Sequence, residues 1–249
     1  MILLDTIHVN VEGRLYTMKG SGMVPIYAHR GASAEKPENT LGAFARALEL
    51  KTFGMELDVH LTRDGVPVVI HDESVDRTTN GTGLVSERSY AEIQNLDAGN
   101  GERIPTLQEV CDLVQGHTHL NIEAKANAAA AAVLREVRLR PSLHWAISSF
   151  DWDVLRFIRR EDDRAELQPL TIGATEEALA CAVEVGARQL NLFDAAVDED
   201  IVAFLRERTL GAWVWTVNDP ARAADLVRWN VAGICTDDPA RLQASLLTR

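Results

Sequence analysis

The stretch GMELDVHLTRDGVPVVIHD, residues 54–72, decides how the rest of the chain is read. Its first half alternates. Glu56, Asp58 and His60 share one face, and Met55, Leu57, Val59 and Leu61 the other, which is the two-residue period of a strand. Asp64-Gly65 is a turn signal, and Val66-Pro67-Val68-Val69-Ile70 runs back as a second extended arm. Counting across that turn sets His71 roughly opposite Asp58. Two carboxylates and an imidazole then share one side of a hairpin where a core would take apolar residues. Alone, the stretch fits a half-exposed hairpin with a solvated polar face equally well, so its surroundings decide.

Upstream, residues 24–31 are strand-like, and residues 39–51 read as a helix with Asn39 as N-cap and a Leu41/Phe44/Ala45/Leu48 face. Downstream, residues 73–105 are an irregular excursion rich in Gly, Thr, Ser and Asp, with a short helical piece near 90–96. Residues 106–115 form a helix capped by Thr106 and stopped by Gly116. Strands at 120–124, 145–150, 169–173, 189–193, 212–217 and 233–236 then alternate with helices at 128–139, 151–160, 176–186, 200–208, 221–229 and 239–247. About eight strand–helix units in 249 residues predict a (β/α)₈ TIM barrel with a hairpin and a small insertion, about 73–105, after strand 2. A doubly wound sheet would carry a glycine-rich phosphate loop after its first strand, and the chain has no GxGxxG or Walker A pattern. Residues 23–249 are therefore read as one catalytic barrel domain. Residues 1–22 form an extension of open role, with a small hairpin around Glu12-Gly13 and a linker at 19–22.

Hydrophobic content of 46% and charged content of 25% are those of an ordinary globular protein. The net charge of −12 argues against nucleic acid or an anionic membrane surface as a partner. An anionic small molecule would need local cations. Cys111, Cys181 and Cys235 are far apart and make no disulfide framework or CxxC pattern, so buried thiols are expected. The start MILLDTIHVN lacks a basic region, and no apolar run approaches the ~20 residues of a membrane span. A cytoplasmic protein without stable membrane association is the expectation; the oligomeric state is not legible.

In a barrel, chemistry sits where strands end. The first strand ends in His29-Arg30-Gly31, the second carries Glu56 and Asp58, and the third carries Glu123 and Lys125 in LNIEAKA. His71 overhangs the same mouth from the hairpin's return arm. Glu56 and Asp58 point the same way, about 7 Å apart along the strand, and Glu123 faces them. Three converging carboxylates repel unless one is protonated or a cation joins them. One divalent metal ion resolves the conflict, and all-oxygen ligands favour Mg²⁺ or Ca²⁺ over zinc. The plain alternative is a set of carboxylates paired with Arg and Lys inside the barrel. His29 and His71 are the acid–base candidates, because imidazole titrates near neutrality. Arg30 and Lys125 supply positive charge for an anion such as phosphate. Trp215 is read as an apolar wall for a substrate, although Trp213 shares its parity and core packing suits both. His60 is read as a rim residue. His117, His119 and His144 precede their strands and fall at the opposite face. Asp72 stays unassigned between orienting a neighbour and capping a turn.

HRGASAEKPENTLGAF, ELDVHLTRDGVPVVIHD, NIEAK, WTVN and GICTDDP together resemble the successive motifs of the glycerophosphodiester phosphodiesterase family, from Val24 to Pro239. The resemblance implies a TIM barrel and metal-dependent hydrolysis of glycerophosphodiesters to sn-glycerol 3-phosphate and an alcohol. By motif it carries acid–base roles to His29 and His71, metal ligation to Glu56, Asp58 and Glu123, and phosphate contact to Arg30 and Lys125. It also implies that the insertion covers the glycerol end. Two rivals are weighed: a phospholipase D-like or phosphoinositide phospholipase C-like activity on lipids, and a non-catalytic metabolite-binding barrel. The acidic charge and the lack of a basic apolar loop count against the first. The intact set of histidines and carboxylates counts against the second.

Overall fold

A computed structural model of the protein describes residues 7–11, 14–18 and 24–247. β1 (Ile7–Val11) and β2 (Arg14–Met18) pair antiparallel with Val11 opposite Arg14, as the arms of the expected N-terminal hairpin; its expected turn at 12–13 and the expected linker at 19–22 lie outside the described residues. The barrel begins with β3 (Ile26–His29), α1 (Leu41–Glu49) and β4 (Gly54–Leu61), whose return arm is the short antiparallel β5 (Pro67–Val69). α2 (Tyr90–Ile93) lies in the insertion, and α3 (Leu107–Val114) completes the second unit. There follow β6 (His119–Ala124), α4 (Asn127–Arg138), β7 (His144–Ser149) and α5 (Trp152–Glu161). β8 (Leu167–Thr171), α6 (Glu176–Val185), β9 (Gln189–Phe193) and α7 (Glu199–Glu207) come next. β10 (Gly211–Trp215), α8 (Pro220–Trp229), β11 (Gly233–Thr236) and α9 (Pro239–Leu247) close the chain. The order β3-β11-β10-β9-β8-β7-β6-β4 is parallel throughout, and β3 also pairs with β4, so the sheet closes on itself as expected for a (β/α)₈ barrel.

Local chemistry explains the elements. Thr106 Oγ1 accepts from Glu109 N while the Glu109 carboxylate accepts from Thr106 N, a capping box that starts α3. α6 ends at Gly186 in the left-handed region. Outward-facing strand residues such as Leu57, Ile122 and Ile147 pack against helix residues such as Val110, Val133 and Leu155, and all are fully buried. The insertion carries its own small core of Val75, Val85, Ile93 and Ile104 against Val68 and Ile70 of the return arm. Inside the barrel, Asn121 Nδ2 and Asn191 Nδ2 both donate to Gln168 Oε1, at 3.1 and 3.0 Å, and Tyr27, Trp213 and Cys235 pack nearby.

Two expectations are corrected. The N-cap of α1 is Thr40, whose hydroxyl accepts from Ala43 N; Asn39 sits one residue earlier, at φ 57°. In the β4–β5 hairpin the partner of Asp58 is Ile70, whose N–H donates to Asp58 O at 3.0 Å, so His71 lies one step beyond the expected pairing. The cause is a three-residue loop. Thr62 N donates to Val66 O across Arg63-Asp64-Gly65, with Gly65 at φ 79° supplying the left-handed turn.

Candidate active site

Alternate side chains of the barrel strands point inward, so residues at the strand C-termini converge on one mouth. Register places the carboxylates: His29 pairs with Glu56, and Asp58 with Glu123. Glu56, Asp58 and Glu123 are buried, and each offers an oxygen within 4.8 Å of the others. Lys125 Nζ bridges Asp58 Oδ1 at 2.8 Å and Glu123 Oε1 at 2.7 Å, and Arg30 Nε lies 3.4 Å from Asp58 Oδ2. Asn39 Nδ2 donates to that same oxygen at 2.8 Å. Burial opposes the Asp58 charge, but Lys125 and Arg30 outweigh it and hold the carboxyl below its usual range. Glu56 accepts the Arg30 backbone N–H at 3.1 Å. Burial first, then the Asp58 and Glu123 charges, push Glu56 well above its ordinary value. Burial and Asp58 likewise bring Glu123 up to about 7. Three carboxylates against two cations leave excess negative charge among oxygen donors, so the set fits a hard divalent cation.

The turn after β3 is built for this. Arg30 has φ 56° and Gly31 φ 79°, and a Cβ on Gly31 would stand 2.7 Å from the Ala43 backbone. Only glycine fits there, and the bend aims the Arg30 N–H at Glu56. A non-glycine residue held at positive φ beside buried charges is the kind of strain found at functional sites.

The two histidines share one arrangement. His29 Nδ1 is 2.6 Å from Asp237 Oδ1, and His71 Nδ1 is 2.7 Å from Asp72 Oδ1. An ionised carboxylate only accepts, so each Nδ1 carries the proton and Nε2 is left for proton transfer. His29 Nε2 lies 3.9 Å from Glu56 Oε2. Burial raises the Asp237 carboxyl, but hydrogen bonds from His29, Asn218 Nδ2 and Ser33 Oγ bring it down to about 2. Burial lowers His71 below its ordinary value, and the Asp58 charge and the Asp72 hydrogen bond only partly offset this. His29, Arg30, Glu56, His71 and Glu123 line one pocket, which Trp215 also walls. Lys125 reaches it through Asp58 and Glu123.

Opposite the charged half, the mouth is apolar. Phe150, Ile172 and Phe193 stand at the ends of β7, β8 and β9 and are 47%, 60% and 38% exposed. Phe150 and Phe193 both meet the Trp215 ring, with centroids 5.6 and 5.4 Å away. Trp213, of the same parity, is 2% exposed and packs in the barrel with Tyr27, so the two tryptophans divide wall from core. His60 Nε2 donates to the His71 carbonyl at 3.0 Å and supports the loop. His119 stays at the far end beside Tyr27. Sequence reading missed the parts played by Asp237, Asn39, the apolar rim and Glu38, whose Oε1 accepts from Arg30 Nη1 at 2.8 Å. Inward parity at strand ends was a usable signal for Phe150, Ile172 and Phe193. The Asp237 contact spans 208 positions; the GICTDDP motif marks the segment, but nothing local announces its partner.

Comparisons with known proteins give the chain its family and agree with the barrel fold. A model of the glycerophosphoryl diester phosphodiesterase family matches residues 29–241. The chain is 37% identical over 231 residues to the glycerophosphodiester phosphodiesterase of Caldanaerobacter subterraneus subsp. tengcongensis, covering 87% of this chain and 95% of that one. A phosphodiesterase structure from Oleispira antarctica, in complex with the product sn-glycerol-3-phosphate, superposes with a TM-score of 0.86 at 26% identity, covering 89% of this chain and 96% of that one. A glycerophosphodiester phosphodiesterase structure from Thermotoga maritima gives a TM-score of 0.77 at 29% identity, covering 90% and 99%.

Proposed function

The chain belongs to the glycerophosphoryl diester phosphodiesterase family, and from that premise we propose that it hydrolyses glycerophosphodiesters to sn-glycerol 3-phosphate and an alcohol. The observation that carries this reading is one pocket lined by two aspartate-bonded histidines and by Glu56 and Glu123, whose carboxylates lie within 4.8 Å of each other and of Asp58. Residues 23–249 act as the catalytic unit, with 1–22 as an appended segment. No helix among the described residues is long and apolar enough to cross a membrane.

Glu56, Asp58 and Glu123 would hold one divalent ion, Mg²⁺ or Ca²⁺. When bound, that ion supplies Lewis-acid stabilisation of charge on a phosphoryl oxygen. Arg30 and Lys125, already fixed among the carboxylates, present fixed positive charge to the phosphate and need no reorganisation as it reacts. His29 and His71 come from different elements, so they can flank a phosphorus from two sides, as in-line displacement requires. One takes the proton of the nucleophile, whether water or the adjacent glycerol hydroxyl, and the other gives a proton to the departing oxygen; where the hydroxyl attacks, the cyclic phosphate so formed is opened by water in a second step. Asp237 and Asp72 hold the two rings in the tautomer and orientation this needs. Trp215, with Phe150 and Phe193, gives the uncharged part of the substrate an apolar surface.

A panel assay tests the reading. Glycerophosphocholine and glycerophosphoethanolamine should release glycerol 3-phosphate, and vesicles of diacyl phosphatidylcholine should not be cleaved. Efficient vesicle cleavage would instead indicate a phospholipase.

A further inference from the structure

Arg77 lies in the insertion, outside every motif that marks the site, and its guanidinium is spent on two carboxylates. Nη1 and Nη2 donate to Glu38 Oε2 and Oε1, each at 2.8 Å, and Nε and Nη2 donate to Asp72 Oδ2 and Oδ1, at 2.7 and 3.0 Å. The two oxygens reached by Nη2 are already in use. Glu38 Oε1 accepts Arg30 Nη1 at 2.8 Å, and Asp72 Oδ1 faces His71 Nδ1 at 2.7 Å. One nitrogen therefore touches both the oxygen that fixes Arg30 and the oxygen that fixes His71.

The Arg77 side chain is 47% exposed, Asp72 29% and Glu38 22%, so each ion pair taken singly would add little to folding. Geometry is what a doubly bidentate guanidinium provides. Without it, Asp72 and Glu38 could rotate, and His71 and Arg30 would each lose a fixed partner. Resting on the roles given above to His71 and Arg30, we propose that Arg77 is a positioning residue that sets the proton-transfer imidazole and the phosphate-binding guanidinium as one unit. The insertion thereby takes part in catalysis from outside the pocket.

The test is a set of double-mutant cycles on glycerophosphocholine hydrolysis. Asp72→Asn should lower kcat, Glu38→Gln should raise KM, and Arg77→Ala should do both, each by about tenfold. Because Arg77 acts through these partners, Arg77→Ala/Asp72→Asn should have the kcat of the poorer single variant, and Arg77→Ala/Glu38→Gln the KM of the poorer one. Arg77→Lys should not rescue, since a single ammonium nitrogen cannot reproduce the paired, bidentate contacts to both carboxylates. Arg46→Ala, which breaks a comparable pairing with Glu35 and Glu49 away from the site, should leave both constants unchanged. Near-native constants in Arg77→Ala, rescue by lysine, or multiplicative losses in the double variants would overturn the proposal while leaving the functional reading intact. If the wild type releases no glycerol 3-phosphate, it is the functional reading that fails. Ring-nitrogen NMR of His71 then decides the positioning claim. Arg77→Ala should mix the two imidazole tautomers, and unchanged signals would refute it.

Discussion

At the scale of single residues the site is a problem in charge. Lys125 and Arg30 satisfy Asp58, while Glu56 and Glu123 remain buried and hard to ionise. Glu56→Gln keeps the shape and removes the charge, so calorimetry should show weaker Mg²⁺ or Ca²⁺ binding in step with lost activity. His29→Ala and His71→Ala remove no proposed ligand. Each should lose roughly 10²-fold or more in kcat with metal affinity little changed, and variants that keep near-native kcat would dismiss the acid–base assignment. Asp237 gives a dependence on pH. Its carboxyl sits at about 2 in the fold, below its ordinary value of 3.8. A depressed carboxylate lends stability that is complete above the unfolded value and fades as pH falls toward the folded one. The urea midpoint of the wild type should therefore drop more steeply between pH 4 and pH 2 than that of Asp237→Asn. Equal slopes would show that the His29–Asp237 contact carries no linkage.

At the scale of elements, sequence and structure part where chain neighbours stop being spatial neighbours. The cap at Thr106, the strands at 189–193 and 233–236 and the final helix were legible because each is written in a local period or cap. The β4–β5 register was not, since Gly65 in the left-handed region lengthens the loop by one residue and shifts His71 against Asp58. Asn39 was misassigned for a related reason. Both Asn39 and Thr40 suit a cap, and only the fold shows that Asn39 donates to a buried carboxylate instead. The ends of β7 to β10 form the apolar half of the mouth, which predicts a binding role separate from proton transfer. Trp215→Ala removes the ring that Phe150 and Phe193 share. Steady-state kinetics should show KM for glycerophosphocholine rising roughly 5- to 30-fold, the equivalent of about 1–2 kcal/mol of lost apolar contact, with a smaller change in kcat. A fall in kcat alone would place the ring in the chemistry.

At the scale of the whole molecule, closure of the barrel makes the site. β3 pairs with both β11 and β4, which brings Asp237 to His29 and His29 to Glu56, although the first contact joins opposite ends of the chain. Eight repeated strand–helix units made the barrel legible in the sequence. The inward parity of Glu56, Asp58 and Glu123 made the carboxylate triad legible with it. The supporting partners were not, because closure places Asp237, the insertion places Arg77, and Glu38 sits in the irregular turn between β3 and α1, where no period runs. The central claim is that this barrel cleaves a glycerophosphodiester at phosphorus only with a divalent ion on its carboxylates. Phosphorus NMR of glycerophosphocholine incubated with metal-stripped protein, before and after addition of Mg²⁺ or Ca²⁺, tests it most directly. No new signal should form before the ion is added, and glycerol 3-phosphate should accumulate after it. Full turnover by the stripped protein, or release of phosphocholine in place of glycerol 3-phosphate, would contradict the account.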